Sequence, residues 1–358
     1  MFNTLLLSLL VYQATANPIP RDNDKPFDIQ AHRGGRGSTV ENTLPSFAYG
    51  AVSGANTLEL DFGVTKDGVA VVWHDEAFLP SKCKDTNPVT PDDPVFPYND
   101  KHVANLTLAQ VKTLDCGSLR QDDYPVQEIY PGTKLATLDE FFEFVNCFDT
   151  DGEINFDIET KVNPAITNST RDPKIFVDLL IESIDKYDVM DRTTLQSFDW
   201  RSLKYSKEIR PELVTSALYD DTTAIKNTDW FGGLKIEDYG DVSPAVAGVL
   251  AANDIDADIL SPAEIESTSG KTLGTDKYKP FVTQEVVNLA HDKGMQVKPW
   301  TVDTLNVVDE HYKWGVDGVI TDFPHETVRW ADLNKIKTAK KFDEDKVMTC
   351  LAKHNQLV

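Results

Sequence analysis

Short apolar runs alternate with amphipathic segments along most of the chain. Brief runs rich in β-branched and aromatic residues predict strands, whereas apolar residues repeating every three to four positions predict helices. The strand-like runs are Phe27–His32, Thr57–Val64, Val69–His74, Glu153–Thr160, Thr193–Phe198, Leu213–Leu218, Asp256–Leu260, Met295–Thr301 and Gly318–Thr321. The helix-like segments are Thr43–Ser53, Leu108–Leu114, Leu138–Val145, Lys174–Tyr187, Trp200–Ile209, Val282–Lys293 and Leu305–Trp314. This alternation indicates a parallel sheet with helical crossovers.

Two neighbouring strand-like runs, Thr57–Val64 and Val69–His74, are separated by only a short polar linker. The Asp67-Gly68 pair in that linker is a strong hairpin signal, so these two strands are expected to run antiparallel. An antiparallel arm cannot belong to a parallel barrel, and removing it leaves eight parallel strands. Eight is the number that closes a (β/α)8 TIM barrel, which is the predicted fold. An open, doubly wound sheet is the alternative.

Two segments depart from this alternation. Residues 79–134 are rich in Pro, Asp and Asn and are too long for an ordinary connection, so they predict a cap or lid inserted after the second barrel strand. After Trp330 the chain becomes polar and Lys-rich, which predicts a polar C-terminal tail over residues 333–358. The prediction is one barrel domain, residues 17–332, that carries an insertion.

The beginning of the chain and its cysteines predict export. Residues 1–16 carry no charged side chain, contain an apolar run too short to span a bilayer, and end in Ala14-Thr15-Ala16, which predicts a signal peptide. Four cysteines without a Cys-x-x-Cys pair predict two disulfides, with three connectivities possible. Asn105 and Asn168 each begin a glycosylation sequon. A secreted protein without a stable membrane anchor is expected.

The charge balance restricts the partners of the protein. Asp and Glu number 58 against 35 Lys and Arg, so the formal net charge is -23. Such a chain repels nucleic acids and anionic membrane surfaces at long range. A small-molecule partner is expected, and if the protein handles phosphate it needs a metal or a few local cations to do so.

Polar side chains share one face of several predicted strands. Alternation places Glu59 with Asp61 on one strand face and Glu159 with Lys161 on another. If the apolar faces meet the helices, the C-terminal mouth of the barrel receives His32, Glu59, Asp61, Glu159, Lys161 and Trp300. Three buried carboxylates at one rim need a cation, and a donor set made only of oxygens favours Mg²⁺ or Ca²⁺ over zinc. An ion-pair network with Arg33 and Lys161 is the alternative.

Two histidines are predicted at the same mouth. His32 ends the first strand and His74 ends the hairpin arm. Imidazole titrates near neutral pH, so two histidines beside one metal can divide acid and base roles, although each taken singly is better explained as a hydrogen-bonded histidine. Arg33 follows His32 directly, and its guanidinium suits bidentate contact with a phosphate.

Several motifs together resemble the glycerophosphodiester phosphodiesterase family in order and spacing. They cover residues 27–324, and the N-terminal ones are specific in combination. The motifs are Ala31-His32-Arg33-Gly34, Glu41-Asn42-Thr43, Leu58-Glu59-Leu60-Asp61, Thr65-Lys66-Asp67-Gly68, Val71-Val72-Trp73-His74-Asp75, Ile158-Glu159-Thr160-Lys161, Gln196-Ser197-Phe198, Trp300-Thr301-Val302 and Gly315-Val316-Asp317-Gly318-Val319-Ile320-Thr321-Asp322.

The resemblance implies a TIM barrel that hydrolyses glycerophosphodiesters to glycerol 3-phosphate and an alcohol. It implies roles for eight residues: a divalent metal on Glu59, Asp61 and Glu159, acid and base roles for His32 and His74, phosphate contacts from Arg33 and Lys161, and a glycerol contact from Trp300. The mechanistic hypothesis is attack by the glycerol 2-hydroxyl to give a cyclic phosphate, which water then opens.

Two other functions are considered. A related phospholipase D-type lyase would stop at the cyclic phosphate and act on lysolipid or sphingolipid, but the Glu41-Asn42-Thr43 and Lys66-Asp67-Gly68 motifs match the hydrolase pattern. A non-catalytic secreted binding protein would be expected to have lost residues at the barrel mouth, and none of them is lost.

Overall fold

The computed structural model describes residues 26–166 and 168–358, and the signal peptide predicted at residues 1–16 lies outside them. Within these residues the strands form a single sheet. In chain order they are β1 (Asp28–Ala31), β2 (Thr57–Val64), β3 (Ala70–Val72), β4 (Asn155–Thr160), β5 (Thr193–Ser197), β6 (Val214–Tyr219), β7 (Ile259–Pro262), β8 (Gln296–Val297) and β9 (Gly318–Thr321).

Eight of these strands run parallel in the order β8-β7-β6-β5-β4-β2-β1-β9, and β3 pairs antiparallel with β2. Backbone bonds join the two ends of this order: the Asp317 N–H donates to the Val297 carbonyl at 2.9 Å and the Ile320 N–H donates to the Pro299 carbonyl at 3.0 Å. The sheet therefore closes on itself. Both the TIM barrel and the antiparallel hairpin arm are confirmed, and the open sheet is excluded.

The α-helices of the described residues cover the outside of the barrel, and none of them is both long and apolar enough to cross a bilayer. They are α1 (Leu44–Ser53), α2 (Leu108–Val111), α3 (Leu138–Phe148), α4 (Pro173–Tyr187), α5 (Trp200–Ile209), α6 (Pro244–Asn253), α7 (Gln284–Asp292), α8 (Leu305–Trp314), α9 (Pro324–Leu333) and α10 (Glu344–His354). Several begin with Ser, Thr or Asp side chains that accept a bond from a backbone N–H of the first turn, which is the ordinary N-cap arrangement.

Helix α6 was not predicted, and its composition explains why. Its sequence is almost entirely Ala, Val, Leu and Gly, so it has no polar face to mark a helical period, and seven of its residues are buried. At Gly248 an added Cβ would stand 2.1 Å from the Tyr219 ring. Small residues thus let this helix pack closely on β6.

Strands β7 and β8 differ from their predicted bounds. Asp256 adopts a left-handed backbone conformation, φ 54°, so the chain is still turning where a strand was predicted to begin. The run Met295–Thr301 forms a ladder only at Gln296 and Val297, because Pro299 has no N–H to donate. The backbone nevertheless continues along its neighbour, since the Trp300 N–H donates to the Pro262 carbonyl at 3.0 Å.

Residues 79–134, the segment predicted to be inserted, build a small apolar cluster against the hairpin arm. The cluster contains Val71, Trp73, Phe78, Cys83, Tyr98, Val103, Leu106, Val111, Leu114, Cys116 and Leu135. A disulfide joins Cys83 to Cys116. The segment therefore has a packed interior of its own that rests on β3.

The C-terminal segment, predicted as a polar tail, contains a helix and is joined to the barrel by a disulfide. It contains α10, which buries Val347, Cys350 and Leu351 against the barrel helices, and a disulfide joins Cys350 to Cys147 on α3. The three apolar positions are spaced at helical intervals within a polar sequence, so their signal is weak, and the disulfide fixes the face they present. Together with Cys83–Cys116 this pairing selects one of the three possible connectivities.

Candidate active site

The parallel register of β2 and β4 brings the three predicted metal ligands together. Asp61 on β2 lies opposite Glu159 on β4, and Glu59 precedes Asp61 by two residues on the same strand face. All three are buried, and one carboxylate oxygen of each lies within 4.8 Å of the others. The structure thus places the acidic cluster at the C-terminal ends of barrel strands, where TIM-barrel enzymes keep their sites.

A tight turn after β1 places Arg33 against this cluster. Arg33 has a left-handed conformation, φ 51°, which costs about 1–3 kcal/mol for a residue with a side chain. The turn is held by its neighbours: the Asn42 N–H donates to the Arg33 carbonyl at 3.0 Å, and Ser46 Oγ donates to the same carbonyl at 3.0 Å. In return the Arg33 N–H donates to Glu59 Oε2 at 2.7 Å. The strained turn aims backbone and side chain of one residue at the acidic cluster.

Cationic side chains neutralise part of the acidic cluster. Arg33 Nε lies 3.3 Å from Asp61 Oδ2, and Lys161 Nζ lies 2.7 Å from Glu159 Oε1 and 3.7 Å from Asp61 Oδ1. Glu41 accepts from Arg33 Nη1 at 3.1 Å and from Lys82 Nζ at 2.7 Å. The ion-pair network considered as an alternative is therefore present.

This network leaves an excess of negative charge. Four cations, Arg33, Arg36, Lys82 and Lys161, face six carboxylates: Glu41, Glu59, Asp61, Asp75, Glu159 and Asp322. If all ionise, two negative charges remain, which is the charge of one divalent cation.

The pKa shifts of the clustered carboxylates reflect the same excess of negative charge. Burial, together with the charge of Asp61, raises the pKa of Glu59 well above its usual range. Burial also raises the pKa of Glu159 to about 7, with Lys161 opposing and Asp61 reinforcing the shift. Burial opposes ionisation of Asp61 as well, but His74, Arg33 and Lys161 hold its pKa well below the usual value. Burial and the neighbouring carboxylates thus disfavour the ionised forms of Glu59 and Glu159, which a bound cation would favour.

The donor set fits a hard divalent cation. Asp61 Oδ1 is buried and has no hydrogen-bond partner among the described residues. The three carboxylates offer only oxygen atoms, which suit Mg²⁺ or Ca²⁺. Lys161 Nζ lies 3.7 Å from Asp61 Oδ1, beyond hydrogen-bond distance, so a bound cation or a proton would lower the cost of burying this oxygen.

His32 is held by a residue that is distant in the sequence but lies at the end of the neighbouring strand. Its Nδ1 lies 2.6 Å from Oδ1 of Asp322, which follows β9, and both side chains are buried. The carboxylate favours the tautomer with the proton on Nδ1, so Nε2 is left able to accept a proton. Burial and the nearby Arg36 and Arg33 lower the pKa of His32 to about 4, although Asp322 opposes this shift.

His74 has a similar but more exposed partner. Its Nδ1 lies 3.1 Å from Oδ1 of the adjacent Asp75, and the second Asp75 oxygen accepts from Lys82 Nζ at 2.7 Å. Burial, Arg33 and Lys161 lower the pKa of His74 to about 3, whereas Asp61 and Asp75 oppose the shift. Both shifts favour the neutral imidazole.

Trp300 joins the site through another aromatic ring. Its indole N–H donates to the Ser261 carbonyl at 3.0 Å, and its ring meets Phe198 edge-on with centroids 5.3 Å apart. Lys161 Nζ in turn lies 5.9 Å from the centroid of the Phe198 ring. The remaining seven predicted site residues (His32, Arg33, Glu59, Asp61, His74, Glu159 and Lys161) lie in one connected network of polar contacts.

A groove of about 360 Å³ opens beside His74. Its apolar wall includes Leu79, Phe198 and Trp230, and its polar wall includes Glu76 and Lys161. The Phe198 and Trp230 rings meet edge to face with centroids 6.3 Å apart. The groove can therefore accept a group bound to a phosphate that lies at the acidic cluster.

The structure adds residues that the sequence analysis gave no role. Asp322 lay within a quoted motif at the end of a predicted strand, which is a mouth position, and this signal could have indicated it. Asp75 is adjacent to His74 in the sequence, and the other additions join the network mainly through contacts between separate segments of the chain, which the sequence does not reveal. They are Arg36, Glu41, Asn42, Lys82 and Tyr124.

Comparisons with known proteins agree with this geometry. The model of the glycerophosphoryl diester phosphodiesterase family matches residues 32–326. The glycerophosphodiester phosphodiesterase of Caldanaerobacter subterraneus subsp. tengcongensis is 27% identical over 302 residues, which are 84% of this chain and 96% of the relative.

Solved structures show the same fold. A chain from Silicibacter pomeroyi, assigned to the glycerophosphoryl diester phosphodiesterases, superposes with a TM-score of 0.69 at 25% identity, covering 89% of this chain and 97% of its own. An Oleispira antarctica phosphodiesterase, solved in complex with the product sn-glycerol-3-phosphate, superposes with a TM-score of 0.59 at 19% identity. The superposition covers 86% of this chain and 97% of that phosphodiesterase. The chain belongs to the glycerophosphoryl diester phosphodiesterase family, and it is a phosphoric diester hydrolase.

Proposed function

We propose that this protein hydrolyses glycerophosphodiesters to glycerol 3-phosphate and an alcohol with the help of one divalent cation, Mg²⁺ or Ca²⁺. One observation carries the proposal: three buried carboxylates with unbalanced negative charge share a network with two histidines, each of which has an aspartate on Nδ1. The Oleispira antarctica neighbour, solved with sn-glycerol-3-phosphate, supports the choice of product.

Glu59, Asp61 and Glu159 would hold the cation. When bound, the cation screens the phosphate charge and lowers the pKa of a hydroxyl that contacts it. The carboxylates themselves are fixed for this task, because Asn42 Nδ2 donates to Asp61 Oδ2 at 2.8 Å and the Arg33 N–H holds Glu59.

His32 and His74 act as the acid and base pair. Each has its Nδ1 turned to an aspartate, so each presents Nε2 for proton transfer. One histidine, neutral, takes the proton of the glycerol 2-hydroxyl on Nε2 as that oxygen attacks phosphorus. The other, as the imidazolium that the bound anionic phosphate favours, gives its Nε2 proton to the leaving alkoxide. Water then opens the resulting cyclic phosphate with the two roles exchanged.

Arg33 and Lys161 meet the phosphate, and Trp300 lies against the glycerol carbons. Both cations are already held at the cluster by carboxylates, so their charge is in place before the substrate arrives. The aromatic face of Trp300 suits contact with the CH groups of glycerol.

The groove beside His74 receives the leaving alcohol in this proposal. The Phe198 and Trp230 rings and the Glu76 carboxylate favour a cationic alcohol such as choline over an anionic one. A net charge of -23 on the whole chain favours the same choice.

Product identity tests the hydrolase directly. Glycerophosphocholine is incubated with the enzyme and a divalent cation, and the phosphorus products are followed by NMR. We expect glycerol 3-phosphate as the end product, with a cyclic phosphate at most as a transient signal. A cyclic phosphate that accumulates and persists would favour the lyase, for which lysolipid is the next substrate. No turnover of either substrate would favour the binding protein.

We also propose that the protein is secreted. Two disulfides favour an oxidising compartment, and the sequon residues Asn105 and Asn168 are both exposed. The predicted signal peptide is tested by expressing the full chain and sequencing the N-terminus of the protein recovered from the medium, where cleavage after Ala16 is expected.

A further inference from the structure

The second half of the inserted segment lies across the turn that carries His32. The Glu128 N–H donates to the Ser38 carbonyl at 2.7 Å, and the Val40 N–H donates back to the Glu128 carbonyl at 3.3 Å. Gln127 is buried, and its Nε2 donates to the Arg36 carbonyl at 2.6 Å. Residues 120–130 are therefore a strap that is fastened to the loop between β1 and α1.

One side chain of this strap reaches the partner of His32. The Tyr124 hydroxyl donates to Asp322 Oδ2 at 2.7 Å, while Asp322 Oδ1 faces His32 Nδ1 at 2.6 Å. Arg36 completes the arrangement, since its Nε lies 2.8 Å from Asp322 Oδ1 and its guanidinium lies 5.1 Å from the centre of the Tyr124 ring. Asp322 is 1% exposed, so these bonds lie in a medium where their loss is costly.

Each oxygen of Asp322 thus has its own fixed partner. Without Tyr124, Oδ2 would be a buried carboxylate oxygen without a protein donor among the described residues, and only the contacts at Oδ1 would oppose rotation of the carboxylate about its terminal torsion. Turning would misalign the bond to His32 Nδ1, which sets both the tautomer and the orientation of the imidazole.

We propose that Tyr124 is a positioning residue that acts on His32 through Asp322, so that the inserted segment completes the acid–base apparatus of the site. The inference rests on the proposed function in one respect, namely that His32 takes part in proton transfer. It assigns to the insertion a part in the chemical step in addition to any contact with the substrate.

The test compares two tyrosines of the same strap. Tyr124→Phe removes only the hydroxyl that bonds to Asp322, and Tyr130→Phe removes a hydroxyl that lies 3.4 Å from the exposed Glu128. With glycerophosphocholine and a saturating divalent cation, we expect Tyr124→Phe to lower kcat about tenfold with KM within about twofold, and Tyr130→Phe to match the wild type.

A double-mutant cycle separates positioning from a general structural role. In a His32→Ala background Tyr124→Phe has nothing left to position, so we expect it to cause little further loss of kcat. A further loss of about tenfold in that background would overturn the inference, as would a Tyr124→Phe enzyme with the wild-type kcat. An inactive wild type would instead contradict the proposed function.

A second measurement needs no activity. The proton between His32 Nδ1 and Asp322 gives a far-downfield ¹H NMR signal, assigned by its absence in His32→Ala. We expect Tyr124→Phe to shift or broaden this signal, and Tyr130→Phe to leave it in place. An unchanged signal in Tyr124→Phe would contradict the proposal even if that variant were too unstable for kinetics.

Discussion

The two histidines of the site have the same kind of partner but differ in what holds it. His32 bonds to Asp322, which is 290 residues away in sequence and is fixed by Arg36 and Tyr124. His74 bonds to the adjacent Asp75, whose other oxygen bonds to Lys82 alone. The side-chain exposure of the two aspartates is 1% and 23%. One histidine is thus oriented by closure of the whole barrel, and the other by local chain geometry that water can reach.

This difference teaches which parts of the site depend on the fold. The His32 arrangement needs β9 beside β1, the β1–α1 turn and the inserted strap to be in place at once. The His74 arrangement needs the end of the hairpin arm and Lys82, which follows it closely in the sequence. We therefore expect changes at the His32 partners to have larger effects than equivalent changes at the His74 partners.

The largest effect is expected when either imidazole is removed. His32→Ala and His74→Ala should each lower kcat on glycerophosphocholine by about 10²–10⁴, because each deletes a proton-transfer group. Steady-state kinetics with a saturating divalent cation measures this loss. Wild-type kcat in both variants would end the acid–base assignment.

Replacing the partner aspartates should distinguish the His32 side of the site from the His74 side. Asp322→Asn is expected to lower kcat by about 10² or more, because the amide can stabilise the wrong tautomer of a buried imidazole. Asp75→Asn should cost less than about tenfold, because water can replace the exposed carboxylate as a partner. Equal losses in the two variants, measured at one pH and one metal concentration, would contradict the comparison.

A smaller effect is expected in the groove on the His74 side. Trp230→Ala should raise KM for glycerophosphocholine by about threefold to tenfold with little change in kcat, because an aromatic face for the cationic alcohol is lost. Glycerophosphoglycerol, whose leaving alcohol is uncharged, should show a smaller change. Tyr205→Ala on α5, a position that does not line the groove, serves as the control. Equal KM changes for the two substrates would contradict a preference of the groove for cationic alcohols.

The pH dependence of stability gives the smallest predicted difference. The pKa of His32 is about 4 in the folded protein and near 6.5 when unfolded, so the folded state binds this proton less well. The contribution of this pKa difference to the free energy of unfolding is fully present above pH 6.5 and is lost as the pH falls toward 4. Raised pKa values at Glu59 and Glu159 act in the opposite direction, so the informative quantity is the difference between variants.

Urea unfolding of the chelated protein at pH 7 and pH 5 measures that difference. The free energy of unfolding of His32→Gln should fall less than that of the wild type between these pH values, by about 1 kcal/mol. His74→Gln should show a smaller change, because its side chain is 26% exposed and water screens its charge. Identical pH dependence in wild type and His32→Gln would show that His32 is not held neutral by the fold.

The same contrast shows which features of the site could be predicted from the sequence. The carboxylate triad could be predicted, because Glu59 and Asp61 alternate along one strand and Glu159 repeats the pattern on the strand that pairs with it. The contact between His74 and Asp75 could also be predicted, because the two residues are adjacent in the sequence. The bond from Tyr124 to Asp322 could not, because it joins a loop without periodicity to a strand end 198 residues away. Helix α6 escaped prediction for a related reason, since a helix that is buried on all sides has no amphipathic signal.

The central claim is that the carboxylates Glu59, Asp61 and Glu159 hold a divalent cation that the hydrolysis requires. The most direct measurement is release of glycerol 3-phosphate from glycerophosphocholine by chelator-treated enzyme, with Mg²⁺ or Ca²⁺ then added back, for the wild type and for Glu159→Gln. We predict no release after chelation, recovery with at least one of the two ions, and a requirement for much more of that ion in Glu159→Gln. Full activity in the presence of chelator, or the same metal requirement in both proteins, would contradict the account.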